Sequence, residues 1–365
     1  MTAASAGEIE ASDSSKADFC VAKRADPGYD AAIRSGGLTT KTCMSRFAML
    51  FPGQGAQSVG MLAELGQQHP AIQQTLDEAS DALGYDMADL VANGPADTLD
   101  RTEYTQPALV AASVAVWRAW QAADGPAPSF VAGHSLGEYS ALVVAGTLDF
   151  ADALRLTRLR GQAMQDAVGA GEGAMAAVLG LPDEAVRAAC DEASAALASD
   201  GLTVSAANFN APNQVVIAGH AEAVEKASAL ARDKGARMVK PLAVSVPSHC
   251  ALMQPAADRL ASHLADIPLR EPSIPVYHNV DARPREDVGG VRRALVAQLA
   301  QSVQWRETIQ RLAAENCHLF VECGPGKVLT GLNKRIDKSL QTLPLSDSDD
   351  FRAALAAADD RADER

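Results

Sequence analysis

A serine between two glycines is the first residue in this sequence that could do covalent chemistry. The stretch "GHSLGEYSAL" (133–142) places Ser135 in a Gly-x-Ser-x-Gly pattern, which is weak alone because a chain with 27 glycines can carry it by chance. The residues before it, "SFVAGHS" (129–135), predict a buried strand entering a turn, and "LGEYSALVVAG" (136–146) predicts a helix. This strand–turn–helix context favours Ser135 as an exposed nucleophile, with an ordinary loop serine as the alternative.

A histidine follows a second predicted strand. In "VSVPSHCALM" (244–253), a strand predicted over 237–246 ends, and His249 lies at the junction with the next helix. The carboxyl ends of strands in open α/β sheets face the ligand crevice, and Ser135 also lies at such an end. We therefore predict that His249 is the general base for Ser135, with a structural histidine as the alternative.

An arginine lies on the apolar face of a helix predicted over 148–168. On a helical wheel, Arg160 falls in the middle of a stripe made by Ala153, Leu156, Met164 and Ala167. A buried charge without a partner is costly. Arg160 is therefore either paired with a core carboxylate, extended to the edge of the core, or a buried guanidinium that binds an anionic ligand.

Composition excludes several classes of function. A net charge of −14, from 32 Lys and Arg against 46 Asp and Glu, argues against a nucleic-acid partner. No apolar run is long enough to span a membrane, and the first residues lack the apolar stretch of a secretory signal. The six cysteines form no C-x-x-C pair, which argues against a zinc site and favours reduced thiols in a cytoplasmic protein.

The order of predicted elements divides the chain into a large and a small domain. Residues 169–245 read β-α-β-β-α-β, the order of a ferredoxin-like unit, so we predict an inserted small domain there. The α/β core is predicted over 44–168 and 246–345. Residues 1–43 lack periodicity and are predicted to be disordered, with Met44 a candidate natural start. Residues 346–365 are predicted to form an acidic tail with only a short Ala-rich helical stretch.

Seven motifs in a fixed order resemble those of a known family. The chain is similar to the malonyl-CoA:acyl carrier protein transacylase family from about Met44 to Leu345, and both tails lie outside the resemblance. That family has an α/β-hydrolase-like core with a ferredoxin-like insert, in agreement with the predicted elements. The motifs that carry the resemblance are "FPGQGAQ", "GHSLGEYSALVVAG", "RLRGQAMQ", "NFNAPNQVVIAG", "VSVPSHCALM", "VQW" and "ECGPGKVLTGL".

The resemblance implies an [acyl-carrier-protein] S-malonyltransferase activity in fatty acid synthesis. Malonyl would pass from malonyl-CoA through a malonyl-serine to the phosphopantetheine thiol of holo acyl carrier protein, with no metal or other cofactor. A cytoplasmic monomer is expected. The implied roles are Ser135 as nucleophile, His249 as base, the backbone carbonyl of Gln304 as the group that orients His249, the backbone N–H groups of Gln54 and Leu136 as the oxyanion hole, and Arg160 as the malonyl carboxylate-binding residue.

Three alternatives stay open from the sequence. A serine esterase or thioesterase of the same fold would need an acidic residue at a strand end to orient the histidine. No Asp or Glu between positions 136 and 249 can be recognised as that acid from the sequence. A non-catalytic carrier-binding protein would be expected to lack Ser135 or His249, and both are present. An acyltransferase that serves a polyketide pathway would carry the same residues.

Overall fold

Two β-sheets organise the part of the chain that the structure, a computed structural model, describes: residues 46–244 and 246–363. The predictions of a disordered segment at 1–43 and of a start at Met44 lie outside the described residues. Among the described helices, none combines the length and the apolar character needed to cross a membrane.

The larger sheet has six strands in the order β10-β9-β1-β2-β7-β8. All neighbouring pairs are parallel except the edge pair of β7 and β8, which is antiparallel. The sheet of the predicted α/β core is therefore mostly parallel, with β1 and β2 in its middle. The strands are β1 (Arg46–Phe51), β2 (Phe130–Gly133), β7 (Val276–His278), β8 (Arg283–Pro284), β9 (Cys317–Glu322) and β10 (Gln341–Pro344).

Helices pack on both faces of the larger sheet. Along β1, Phe47, Met49 and Phe51 belong to the core on one face, whereas Ala48 and Leu50 belong to the core on the other. This alternation is the period-two pattern of a strand buried on both sides. The helices outside the smaller sheet are α1 (Ala63–Gln68), α2 (Pro70–Leu83), α3 (Met87–Asn93), α4 (Ala96–Leu99), α5 (Thr102–Ala122), α6 (Gly137–Val144), α7 (Phe150–Asp166), α10 (Gln254–Asp266), α11 (Val288–Ala300), α12 (Trp305–Ala314), α13 (Val328–Ile336) and α14 (Ser348–Asp363).

The smaller sheet is antiparallel and has the order β4-β5-β3-β6. Its helices cover a separate apolar core that includes Val178, Val186, Phe209 and Ile217. The predicted β-α-β-β-α-β order is present between residues 173 and 241. Its elements are β3 (Gly173–Leu179), α8 (Asp183–Ala196), β4 (Val204–Ala211), β5 (Gln214–His220), α9 (Ala221–Asp233) and β6 (Met238–Pro241).

Two predicted elements differ from the structure. The strand predicted over 237–246 is shorter, because Pro241 contributes no N–H and the chain leaves the sheet after Leu242 donates to the Met175 carbonyl at 2.9 Å. The prediction that the acidic tail contains only a short helical stretch is also wrong. The tail forms α14, a 16-residue helix whose Phe351 and Ala354 are buried. An apolar stripe at helical spacing docks this acidic segment on the core.

Candidate active site

The turn between β2 and α6 presents Ser135 as the sequence predicted. Ser135 has φ 49°, in the left-handed region, and its backbone N–H donates to Asn279 Oδ1 at 2.8 Å. Gly137 lets the helix start this close to β1, because a Cβ there would lie 2.1 Å from the Phe51 carbonyl oxygen. The strand, sharp turn and helix hold the hydroxyl of Ser135 at the carboxyl end of the sheet.

The structure brings Ser135 and His249 together. Ser135 Oγ lies 2.7 Å from His249 Nε2, and His249 Nδ1 lies 2.7 Å from the backbone carbonyl oxygen of Gln298. A carbonyl only accepts, so Nδ1 carries the proton and Nε2 is left to accept the serine hydroxyl. The predicted pairing is present as geometry, and the catalytic roles stay predictions. His249 lies in the loop between β6 and α10, not directly after a strand as predicted, with φ 63°.

The predicted role of Gln304 is wrong. Its carbonyl oxygen accepts from the Thr308 N–H at 2.9 Å, within the first turn of α12. The carbonyl that His249 uses belongs to Gln298, near the end of α11, where the last carbonyl groups of a helix lack intrahelical partners. The carbonyl of the next residue, Leu299, accepts the backbone N–H of His249 at 3.0 Å. The end of α11 therefore holds both the ring and the backbone of His249.

Burial and a neighbouring charge keep His249 neutral. Its side chain is buried, and this burial, together with the positive charge of Arg160, lowers the pKa of His249 to about 3. The hydrogen bond to Gln298 works in the opposite direction but is the weaker influence. A neutral imidazole is the form that can accept the serine proton.

Arg160 is buried, as the helical wheel predicted, and only 1% of it is exposed. One terminal nitrogen donates to Gln106 Oε1 at 2.8 Å; the other donates to Gln298 Oε1 at 3.0 Å and lies 3.4 Å from Ser135 Oγ. Within the described residues, no carboxylate comes within ion-pair distance of the guanidinium, so pairing with a core carboxylate is not found. Burial lowers the pKa of Arg160 from its usual value. The charge is held beside the nucleophile by neutral amide oxygens.

Gln54 and Leu136 line the same cavity as Ser135. The N–H groups of Gln54 and Leu136 donate to no acceptor in the described part of the chain. Gly53 allows the turn after β1 to approach the serine turn, because a Cβ at Gly53 would lie 2.5 Å from the His134 carbonyl oxygen. Unpaired N–H groups next to a nucleophile are the donors that an oxyanion hole requires, and their role stays a prediction.

These groups line one cavity of about 560 Å³ between the two sheets. Ser135, His249 and Arg160 lie in it together with Gln54 and Leu136. A larger groove of about 800 Å³ between α10 and α11 is lined by five alanines with Leu264, Val296, two arginines and two glutamines, and no serine–histidine pair lies in it. Among the cavities of the described residues, the smaller one therefore holds the groups that could carry out covalent chemistry.

A buried polar network behind the serine was not predicted from the sequence. The Glu138 carboxylate accepts from His278 Nδ1 at 2.7 Å, the Asn279 backbone N–H at 3.0 Å and Gln298 Nε2 at 2.9 Å. Burial would raise the pKa of Glu138, but the neighbouring His278 and these hydrogen bonds lower it below its usual value. Glu138 makes no contact with His249, so the structure does not assign it as the acid of a triad. Two features of the sequence could have indicated this network: Gln298 lies on the apolar face of α11, and Asn279 directly follows the buried strand β7.

The fold and the site define a class: a serine–histidine acyl-transfer enzyme with backbone donors and a buried cation in its cavity. Residues 48–358 match the family described as "Acyl transferase domain", and the chain belongs to this acyl transferase family.

Curated relatives of the chain carry a more specific name. The chain is 52% identical over 315 residues to the malonyl CoA-acyl carrier protein transacylase of Salmonella typhimurium, covering 86% of this chain and 99% of the relative. It is 43% identical to the protein of the same name from Bacillus subtilis, covering 86% of this chain and 97% of the relative. The resemblance found from the motifs is confirmed.

Solved structures agree with this assignment. An acyl carrier protein S-malonyltransferase from Vibrio cholerae matches with a TM-score of 0.82 and 51% identity, over 85% of this chain and 99% of that one. A malonyl-transacylase solved in complex with a type II PKS acyl-carrier protein matches with a TM-score of 0.83 and 51% identity, over 86% of this chain and 100% of that one.

Proposed function

We propose that this chain transfers malonyl from malonyl-CoA to the phosphopantetheine thiol of holo acyl carrier protein, supplying fatty acid elongation. The observation that carries the proposal is the position of Arg160, whose guanidinium lies 3.4 Å from Ser135 Oγ without a carboxylate partner in the described residues. Malonyl has a free carboxylate one methylene away from its thioester carbonyl. A bidentate pair with Arg160 would hold that carboxylate while the carbonyl lies against Ser135.

The first half-reaction forms a malonyl-serine. His249 Nε2 accepts the proton of Ser135, and Oγ attacks the thioester carbonyl. The negative charge on the carbonyl oxygen is stabilised by the N–H groups of Gln54 and Leu136. The carbon–sulfur bond then breaks, and the departing CoA thiolate receives the proton from His249.

The second half-reaction reverses these steps with a different thiol. His249 accepts the proton of the carrier's phosphopantetheine thiol, and the thiolate attacks the ester of Ser135. The ester bond breaks, and Ser135 Oγ regains its proton from His249. This ping-pong scheme uses only acid–base and covalent chemistry, so we propose that it needs no metal or redox cofactor.

The finer architecture is part of the proposal. We assign the larger sheet with its helices to an α/β-hydrolase-like core and the βαββαβ unit to a ferredoxin-like insert, with boundaries at 44–168, 169–245 and 246–345. The strand order β4-β5-β3-β6 with alternating direction supports the second assignment. We further propose that the chain acts as a monomer, because all the groups invoked come from one chain, and that it acts in the cytoplasm, as the resemblance to its family implies.

Intact mass spectrometry after mixing with malonyl-CoA tests the proposal. The wild-type chain is expected to gain one malonyl group, located on Ser135 by peptide mapping. Ser135→Ala removes one oxygen at a turn and is expected to fold but to gain nothing. A malonyl adduct on folded Ser135→Ala would overturn the assignment of the nucleophile. Ser140→Ala, which removes a buried hydroxyl on α6 that makes no hydrogen bond to any described residue, is the matched control and should be malonylated.

A further inference from the structure

The side chain of Gln298 connects the nucleophile, the buried cation and a buried carboxylate. It is fully buried, and its Oε1 accepts from Arg160 at 3.0 Å. Its Nε2 donates to the Ser135 carbonyl oxygen at 3.0 Å and to Glu138 Oε2 at 2.9 Å. All these contacts are made by the side chain, while the backbone carbonyl of the same residue binds His249.

The Glu138 carboxylate, together with the Ser135 carbonyl and the Arg160 guanidinium, determines which way the Gln298 amide points. An ionised carboxylate only accepts hydrogen bonds, so it binds the NH₂ end of the amide and directs the oxygen toward Arg160. A reversed amide would place its oxygen against two acceptors and its NH₂ against the guanidinium. Both ends would then oppose their neighbours inside a buried site, where unpaired polar groups are costly.

We propose that Glu138, acting through the Gln298 side chain, is a positioning residue that fixes Arg160 for the acyl carboxylate and so contributes to selection of malonyl over acetyl. The inference rests on the proposed function, because it needs Arg160 to bind that carboxylate. Glu138 does not contact Ser135 Oγ, His249 or the Arg160 guanidinium by hydrogen bond or ion pair within the described residues. Its effect on selectivity passes through Gln298.

Conservative and disruptive changes at Glu138 are expected to differ. Glu138→Gln can keep an oxygen toward Gln298 and turn its NH₂ toward His278, whose Nε2 makes no hydrogen bond within the part of the chain that the structure describes. His278 can then change tautomer and accept at Nδ1. Glu138→Met cannot accept a hydrogen bond from Gln298, so the NH₂ end of the amide keeps only the Ser135 carbonyl as an acceptor and the amide is held less firmly against Arg160.

The test compares malonyl-CoA and acetyl-CoA as donors, through the ratio of their kcat/KM values for loading of the full-length chain. Gln298→Met and Glu138→Met are each expected to lower the malonyl-to-acetyl ratio by roughly 10- to 100-fold, because each weakens a hydrogen bond to a charged group that matters only for malonyl. Glu138→Gln is expected to keep most of the ratio, and Ser140→Ala all of it. Gln298→Asn, with a shorter reach, gives the same measurement if the Met variant does not fold.

A double variant separates this inference from the function on which it rests. If Gln298 acts through Arg160, Arg160→Ala with Gln298→Met should have the same ratio as Arg160→Ala alone. An unchanged ratio in Arg160→Ala would contradict Arg160 as the carboxylate site. Arg160→Ala could instead lower the ratio while the folded Gln298 and Glu138 variants leave it unchanged. That result would contradict the positioning role of Glu138 and Gln298 but not the proposed function. If Glu138→Gln lowers the malonyl-to-acetyl ratio as much as Glu138→Met does, selectivity depends on the charge of Glu138 and not on the orientation of the Gln298 amide. That result would contradict the proposal.

Discussion

At the scale of single residues, the side chains of the site could be found from the sequence, whereas the backbone carbonyl that binds His249 could not. Ser135, His249 and Arg160 were found because their side-chain types, local patterns and helical position are unusual. The carbonyl that orients His249 was assigned to Gln304 and belongs to Gln298. Every residue has a backbone carbonyl, so the sequence does not show which one binds the imidazole. The structure shows it, because the carbonyl groups in the last turn of α11 lack intrahelical partners and lie beside His249.

The lowered pKa of His249 leads to a prediction about pH dependence. The base works as the neutral imidazole, and with a pKa of about 3 it stays neutral well below the usual histidine range. The kcat/KM for malonyl loading should therefore show no inflection near pH 6.5, the ordinary value, between about pH 5 and 8. Stopped-flow or quenched loading at each pH measures it.

A stability measurement at each pH is the control for this profile. The unfolded chain binds a proton at His249 below about pH 6.5 that the folded chain does not, so this group destabilises the fold as the pH falls. Loading must therefore be measured where the chain is still folded. An acid limb with a midpoint near pH 6.5 in folded protein would show that His249 titrates as an exposed histidine does.

At the scale of elements, the patterns predicted the strand and helix around Ser135, the helix of Arg160 and the β-α-β-β-α-β order, and the errors lie where packing decides. The strand β6 ends at Pro241, five residues before its predicted end at 246, because its continuation leaves the sheet. The helix α14 was underestimated because its acidic composition suggested a solvated tail. Its apolar side chains are few but lie on one face, and the core supplies a surface for them to contact.

The docking of α14 can be tested with one substitution. Phe351 is 2% exposed, and its ring lies 4.6 Å from that of His69 and 6.0 Å from that of Trp120. Phe351→Ala should lower the free energy of unfolding by roughly 3–5 kcal/mol, because it removes buried area and leaves a cavity. Chemical denaturation measures the change. The neighbouring Arg352→Ala, at a side chain 75% exposed, should stay within about 0.5 kcal/mol. Equal small effects of both would contradict a docked helix.

At the scale of the whole molecule, the order of strands assembles the site. The strands β1, β2 and β7 are neighbours and parallel, so the turns that follow them meet at one edge and bring together Gln54, Ser135 and Asn279. The sequence predicts the strand before Ser135 but not which strands lie beside it, since adjacency depends on long-range pairing. For this reason the Ser135 turn could be predicted and the Asn279 contact behind it could not.

The transfer step most directly tests the central claim, that this site passes malonyl between thiols and does not hydrolyse the thioester. Malonyl-enzyme freed of malonyl-CoA is divided, and one half receives holo acyl carrier protein while the other receives buffer. Mass spectrometry then follows the enzyme, the carrier and free malonate. The account predicts that malonyl appears on the carrier thiol and unmodified enzyme returns, much faster than malonate forms in buffer. Release of malonate at the same rate in both halves, with no malonyl-carrier, would contradict the account and identify a hydrolase.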